Sequence, residues 1–241
     1  MKTEDRDQAR CWAIVPAAGA GSRMNSEVPK QYLSIGEYTV LEHTLRRLAA
    51  VERLSGIVVA LSSTDERWSG LRGLPQIRIE TVEGGAERHL SVYKALLHLA
   101  QFAHERDWVL VHDAARPCVR VDDINKLITQ VSSSAQGGLL GLPVRDTMKR
   151  ADGDDLVTAT VDRTGLWHAL TPQMFRLGEL RRALDSAGSR GVHVTDDAAA
   201  MELAGYRPLM VAGHADNIKL TRQSDLPLLE YFLARQEHEV I

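Results

Sequence analysis

The run Ile14, Val15, Pro16, Ala17, Ala18, Gly19, Ala20, Gly21, Ser22, Arg23, Met24, closed by Pro29, Lys30 and Gln31, constrains this 241-residue chain more than any other stretch. It starts as a buried strand, breaks into residues with almost no side chain, and then delivers two cations, Arg23 and Lys30. Small residues let a ligand approach the backbone and meet successive N–H groups. The order predicts a polyphosphate cradle, with Ala17, Ala18, Gly19 and Gly21 nearest the ligand and Arg23 and Lys30 supplying full positive charge.

Two better-known phosphate loops are excluded. The dinucleotide fingerprint needs a third glycine or an alanine where this chain has Met24, and an acid closing the second strand where it has Leu61, Ser62 and Ser63. A Walker loop needs Ser or Thr after its lysine, and Gln31 follows Lys30.

Downstream, Val40, Leu41, Thr44, Leu45 and Leu48 fall on one helical face, and residues 57–61 form an unbroken apolar run. Strand, loop, helix, strand implies a parallel pair. Residues 77–82 alternate like a strand with one exposed face. They end in Gly84 and Gly85, before a helix carrying Leu90, Tyr93, Leu96, Leu97 and Ala100. Residues 108–112 make the next buried strand and deliver Asp113, Ala114, Ala115, Arg116 and Pro117 at its C-terminal end, where open parallel sheets bind ligands. A helix over 121–132 and a strand over 139–144 complete the alternation.

The pattern then breaks. Residues 148–151, a turn at 152–155 and the alternating 156–161 read as an inserted β-hairpin, within an arm spanning 145–166. An isolated two-stranded ribbon is marginal in water, so a second subunit is the economical support. Residues 167–173 return the chain to the body. Thr195 reads as the cap of a helix through Met201 and Leu203, residues 209–213 and 218–220 as late strands, and a last helix starts near Ser224 with Pro227 in its first turn.

The chain is long enough for one large α/β domain covering 1–241. A net charge of -3 offers no basic surface for nucleic acid. Cys11 and Cys118 lie far apart, with no metal or redox spacing, as expected of a reduced cytoplasmic protein. No apolar run approaches the roughly eighteen residues a membrane span needs, and the polar start of the chain does not read as a leader.

The set Pro16 to Met24, Pro29-Lys30-Gln31, Gly84-Gly85 with Arg88 and Ser91, Val111 to Pro117, Val144-Arg145-Asp146-Thr147, Val161-Asp162-Arg163, Leu170-Thr171-Pro172-Gln173, Thr195-Asp196 and Asp216-Asn217-Ile218-Lys219 resembles the 2-C-methyl-D-erythritol 4-phosphate cytidylyltransferases along almost the whole chain. The resemblance implies a Rossmann-like nucleotidyltransferase fold and a homodimer whose arms embrace. It implies an enzyme that joins CTP to the 4-phosphate of methylerythritol and releases pyrophosphate, with Mg²⁺ held mainly by the CTP phosphates and no protein metal ligand assigned.

Carried over residue by residue, it puts Arg23 and Lys30 at the transition state and Gly85, Ala86, Ser91 and Ala114 at the nucleotide. Asp113 falls near acceptor hydroxyls or metal-held water, with Arg116 supporting its loop. Arg163 and Lys219 hold the acceptor phosphate, aided by hydroxyls of Thr147, Thr171 and Thr195. From the residues alone, Asp113 and Arg116 also fit a helix cap with its partner, and Arg163 a surface arginine. Asp197 stands where some relatives are expected to carry Glu, a change read as touching only helix N-terminal charge. The nearest alternative is a cytidylyltransferase for another polyol phosphate such as ribitol 5-phosphate; a nucleotide-binding regulator without catalysis would not need all of Arg23, Lys30, Asp113, Arg163 and Lys219.

Overall fold

β1 (Cys11–Pro16) is apolar at nearly every position because it is covered on both sides. Cys11, Ala13 and Val15 point into one core and Trp12 and Ile14 into the other. In the computed structural model, which describes residues 9–19 and 28–238, β1 pairs in parallel with β4 (Leu54–Leu61) and β6 (Trp108–Val111), and β5 (Ile79–Glu83) runs parallel to β4. The sheet continues through β10 (Trp167–Arg176), β7 (Gly138–Pro143) and β11 (Leu209–Ala212), giving seven strands in the order β11-β7-β10-β6-β1-β4-β5. Only β10 opposes its neighbours.

Helices cover both faces. α1 (Val40–Ala49) and α3 (Val121–Ser132) share the core of Ala13 and Val15, through Leu41, Leu45 and Leu127 among others. α2 (Arg88–Leu99), α4 (Leu177–Ser189) and α5 (Asp197–Leu203) pack on the side of Trp12 and Ile14. α6 (Leu226–His238) closes a third, smaller core against Val40, Ala115 and Leu220. The mostly parallel α/β sheet expected from the alternation is therefore present. A short hairpin of β2 (Ser34–Ile35) and β3 (Tyr38–Thr39) leads into α1, whose Thr39 and Glu42 form a reciprocal capping box.

Four local expectations change. β10 is a full ten-residue strand and α4 follows it directly, where the sequence pattern implies only a return to the body. Residues 218–220 form no strand: Leu220 N–H donates to the Ala115 carbonyl at 2.8 Å, so the segment is strapped to the loop after β6. The buried stripe of α2 is Ser91, Val92, Ala95, Leu96 and Leu99, leaving Leu90 and Leu97 on the surface. The cap of α5 is Asp196, whose carboxylate accepts from Ala199 N–H, rather than Thr195.

The inserted hairpin is present as β8 (Met148–Ala151) and β9 (Val157–Val161), a two-stranded sheet of its own. Asp152 stabilises its turn by accepting from the N–H groups of Asp154 and Leu156. Leu156 and Val157 near the tip are 65% and 63% exposed. Among the described residues no helix is long and apolar enough to cross a membrane.

Gly137, ahead of β7, sits at φ +70, where a Cβ would lie 2.2 Å from a ring carbon of Phe175. Both the backbone conformation and the fully buried ring oppose any side chain there. Gly137→Ala is expected to destabilise the protein by about 2 kcal/mol or more, read as a lowered urea midpoint at unchanged slope.

Candidate active site

The parallel strands β1, β4, β5 and β6 all end at the same edge, and the loops leaving β1, β5 and β6 each stay hydrogen-bonded to the neighbouring strand. Ala17 N–H donates to the Ala60 carbonyl at 2.8 Å, Gly84 N–H to Leu61 at 2.7 Å and His112 N–H to Ile14 at 2.9 Å. The three loops therefore surround one cavity of about 440 Å³.

The first wall is the small-residue loop. Gln31, buried at the start of the turn after Pro29, donates its amide to the carbonyls of Ala17 (2.8 Å) and Gly19 (3.2 Å). Those oxygens would otherwise repel an anion. Lys30 lines the cavity, and its ammonium donates to the Leu220 carbonyl at 3.1 Å, reaching across to the strap at 216–220.

The second wall is the turn after β5. A Cβ on Gly84 would stand 2.4 Å from that of Ala18 and one on Gly85 2.4 Å from that of Leu90, so neither glycine is replaceable without moving backbone. Ser91 accepts from Gly85 N–H at 3.0 Å and donates to the Glu87 carbonyl at 3.2 Å, and Lys94 grips the Gly84 carbonyl at 2.8 Å. Ser91 thus shapes the turn while its side chain borders the cavity.

The floor is a knot of charge. Asp113, 7% exposed, receives Arg88 on one carboxylate oxygen (2.9 Å), and Lys219 (2.8 Å) and Arg116 (3.4 Å) on the other. Burial alone would raise its pKa, but the three cations outweigh burial and hold the carboxyl well below its usual range. Arg88 also donates to Asp197 at 2.8 Å. Asp197 is wholly buried at the first turn of α5, so this residue is part of the knot, beyond the helix-end role expected of it. Burial disfavours the Arg88 charge, and the two carboxylates overcome this, pushing its pKa up. Arg116 donates to the Asn217 carbonyl at 2.7 Å, which ties the loop after β6 to the strap at 216–220.

Beneath the knot runs a directional chain. Burial pushes His112 down to about 4, so the ring is neutral. Its Nε2–H donates to the Arg116 carbonyl at 3.1 Å, which leaves Nδ1 to accept the Thr171 hydroxyl at 3.0 Å; the Thr171 oxygen accepts Asp113 N–H at 3.1 Å. The one hydroxyl hydrogen of Thr171 is committed to His112. The expected donation from Thr171 to an acceptor phosphate gives way here to support of the Asp113 loop.

Ala17, Ala18, Gly19, Lys30, Gly85, Ala86, Ser91, Asp113, Ala114 and Lys219 thus converge as the sequence suggested. Gly21 and Arg23 lie outside the described residues. Thr147 and Arg163 sit at the exposed base of the hairpin, where Arg163 donates to the Arg145 carbonyl, and they do not line the cavity of their own chain. Thr195 is exposed ahead of α5 and is not among the lining residues. Gln31, His112 and Asn217 had no assigned role, nor had Arg88, although all four lie in the stretches that carry the resemblance. Asn217 donates to the Thr171 carbonyl at 2.8 Å, tying the strap to β10.

The donor set does not build a metal site. Both oxygens of Asp113 are taken by cations, and among the described residues no group of three His, Cys, Asp or Glu side chains is placed to hold an ion.

His112 has its pKa depressed in the folded protein, from 6.5 to about 4, so the unfolded chain binds the extra proton between those values. Its contribution to stability is complete above pH 6.5 and is lost as pH falls toward 4, reaching roughly 3 kcal/mol. Thermal melts from pH 7 to 4.5 should show a steeper loss for the wild type than for His112→Gln, which keeps a donor toward Arg116 and does not titrate. Equal slopes would remove His112 from the acid response.

Residues 11–235 match the family described as IspD: 2-C-methyl-D-erythritol 4-phosphate cytidylyltransferase. Under that same enzyme name, a protein of Hahella chejuensis is 48% identical over 241 residues, covering 99% of this chain and 100% of that one. One of Vibrio vulnificus is 50% identical over 225 residues, covering 93% and 95%. The crystal structure of the Francisella tularensis enzyme superposes with a TM-score of 0.81 at 35% identity, covering 93% of this chain and 100% of that chain. A crystal structure of a 4-diphosphocytidyl-2C-methyl-D-erythritol synthase gives 0.81 at 39%, covering 94% and 99%. The cavity with its small-residue loop, glycine turn and cationic floor therefore sits in a chain that belongs to the 2-C-methyl-D-erythritol 4-phosphate cytidylyltransferase family.

Proposed function

We infer that this protein transfers CMP from CTP to the phosphate of 2-C-methyl-D-erythritol 4-phosphate, giving 4-diphosphocytidyl-2-C-methyl-D-erythritol and pyrophosphate in isoprenoid precursor synthesis. The observation that carries this reading is the meeting of Lys30, the Gly84–Gly85 turn and the Lys219–Asp113 pair around one cavity, in a chain of this family. Nothing in the site favours ribitol 5-phosphate as acceptor.

The nucleophile is a phosphate oxygen, already anionic at neutral pH, so no general base is required. Asp113, held ionised by three cations, is unsuited to proton transfer. The chemical demand is relief of repulsion and in-line placement. Lys30, with Arg23 seven residues before it in sequence, answers that demand at the α-phosphorus, and Lys219 holds the acceptor phosphate as a compact charge. The walls at Ala18 and Gly84–Ala86, built of backbone and small side chains, suit a pyrimidine. Mg²⁺ held chiefly by the CTP phosphates would screen their charge.

The exposed apolar tip of the hairpin supports a homodimer in which the arm packs on a second copy, bringing Thr147 and Arg163 toward that copy's acceptor side. Two free, buried thiols suit a cytoplasmic location.

Pyrophosphate release from CTP should appear with methylerythritol 4-phosphate and be far weaker with ribitol 5-phosphate; turnover of the second acceptor alone would transfer the assignment to it. Lys30→Ala should lower kcat by about a hundredfold or more with a smaller change in CTP affinity, whereas equal losses would make Lys30 a ground-state binder. Mixing Arg163→Ala subunits with Lys30→Ala subunits should restore part of the activity, because one site in each hybrid dimer would be intact. No restoration would mean that each site is built within one chain.

A further inference from the structure

Among the described residues, Arg88 is the one side chain that joins the turn after β5 to both buried carboxylates. It begins α2, directly after the Gly84–Glu87 segment, and its guanidinium spans Asp113 at 2.9 Å and Asp197 at 2.8 Å. Glu87 beside it reaches His193 at 3.0 Å, so two consecutive residues tie this turn to the segment leading into α5. Arg88 lines the cavity wall, yet its donors toward Asp113 and Asp197 are already committed.

The consequence lies at Lys219. Its ammonium is 2.8 Å from Asp113, and a phosphate must compete with that carboxylate to gain it. A carboxylate whose only strong partner is one lysine holds that lysine tightly in a desolvated site. Arg116 shares the oxygen that Lys219 meets, at the longer distance of 3.4 Å, and Arg88 changes the competition further by giving Asp113 a charged donor on its other oxygen at 2.9 Å. Asp113 then stays neutralised when Lys219 turns to another anion.

We propose that Arg88 is a positioning residue that anchors Asp113 so that Lys219 can be surrendered to the acceptor phosphate. The proposal deepens the function given above and rests on the reading of Lys219 as the holder of that phosphate. Removing Arg88 leaves Asp113 dependent on Lys219 and Arg116, so the loss falls on acceptor binding. The CTP walls, made by Gln31, Ser91 and Lys94, keep their own hydrogen bonds.

Steady-state pyrophosphate release by the full-length protein tests this, with CTP and methylerythritol 4-phosphate varied in turn. Wild-type turnover comes first: without it the functional reading fails, and Arg88 is not the reason. With it, Arg88→Gln should raise the acceptor KM about tenfold or more and leave the CTP KM within about threefold. Arg88→Gln also strands Asp197 in the interior, so the double variant Arg88→Gln with Asp197→Asn separates folding from positioning. The double variant should regain thermal stability while its acceptor KM stays high. Recovery of the acceptor KM together with stability would overturn the proposal in favour of a purely structural ion pair, and so would a CTP KM that rises as much as the acceptor's.

Discussion

Burying the Asp113 carboxylate is the constraint around which the site is arranged. Withdrawing a carboxylate from water costs several kcal/mol even after relaxation, and three cations are recruited to offset it. They come from different places: Arg88 from the start of α2, Arg116 from the loop after β6, and Lys219 from the strap beyond β11. Satisfying one charge therefore draws three distant segments to one sheet edge. The exchange leaves the cations in excess there, because Lys30 joins Arg88, Arg116 and Lys219 against Asp113, Asp197 and Glu87. The excess favours a polyanionic ligand.

The neutral hydrogen bonds beneath the knot hold it in register. Arg116 carbonyl, His112, Thr171 and Asp113 N–H form a chain in which each group has one available role. A charged imidazole would reverse the polarity at Nδ1 and leave Thr171 without its acceptor. Burial prevents this by keeping the ring neutral at physiological pH. Asn217 extends the same framework by linking the strap to β10, so the lysine two residues later inherits a fixed starting point.

Much of the scaffold was legible because parallel strands covered on both faces leave unbroken apolar runs, as in β1, β4 and β6. The close packing of the loops after β1 and β5 was legible because it demands small residues, and a Cβ on Gly84 would lie 2.4 Å from that of Ala18. β10 was hidden by Thr171 and Pro172 within a run that does not alternate. α4 was hidden because its buried stripe is partly alanine and glycine. The run Ile218, Lys219, Leu220 imitates a strand, yet its hydrogen bonds go to a loop. Hydroxyl residues were misjudged at Thr171 because sequence identifies a donor without saying which acceptor claims it. The task of Arg88 depends on partners 25 and 109 residues away, a separation over which one chain carries no local signal.

The two sides of the cavity recognise by different physics. On the side of Ala18, Gly84 and Gly85, width is set by backbone in van der Waals contact, and no rotamer change widens it. A ligand there is selected by shape. On the side of Asp113 and Lys219, the partners are ion pairs already made within the protein, which the acceptor phosphate of the proposed reaction would enter by exchange and not by filling a void. Such exchange costs less than desolvating free charges, because each cation passes from one anion to another without returning to water. A rigid glycine-lined wall facing an exchangeable ionic floor suits the proposed reaction, which must fix one phosphate while it brings a second, equally anionic phosphate against it.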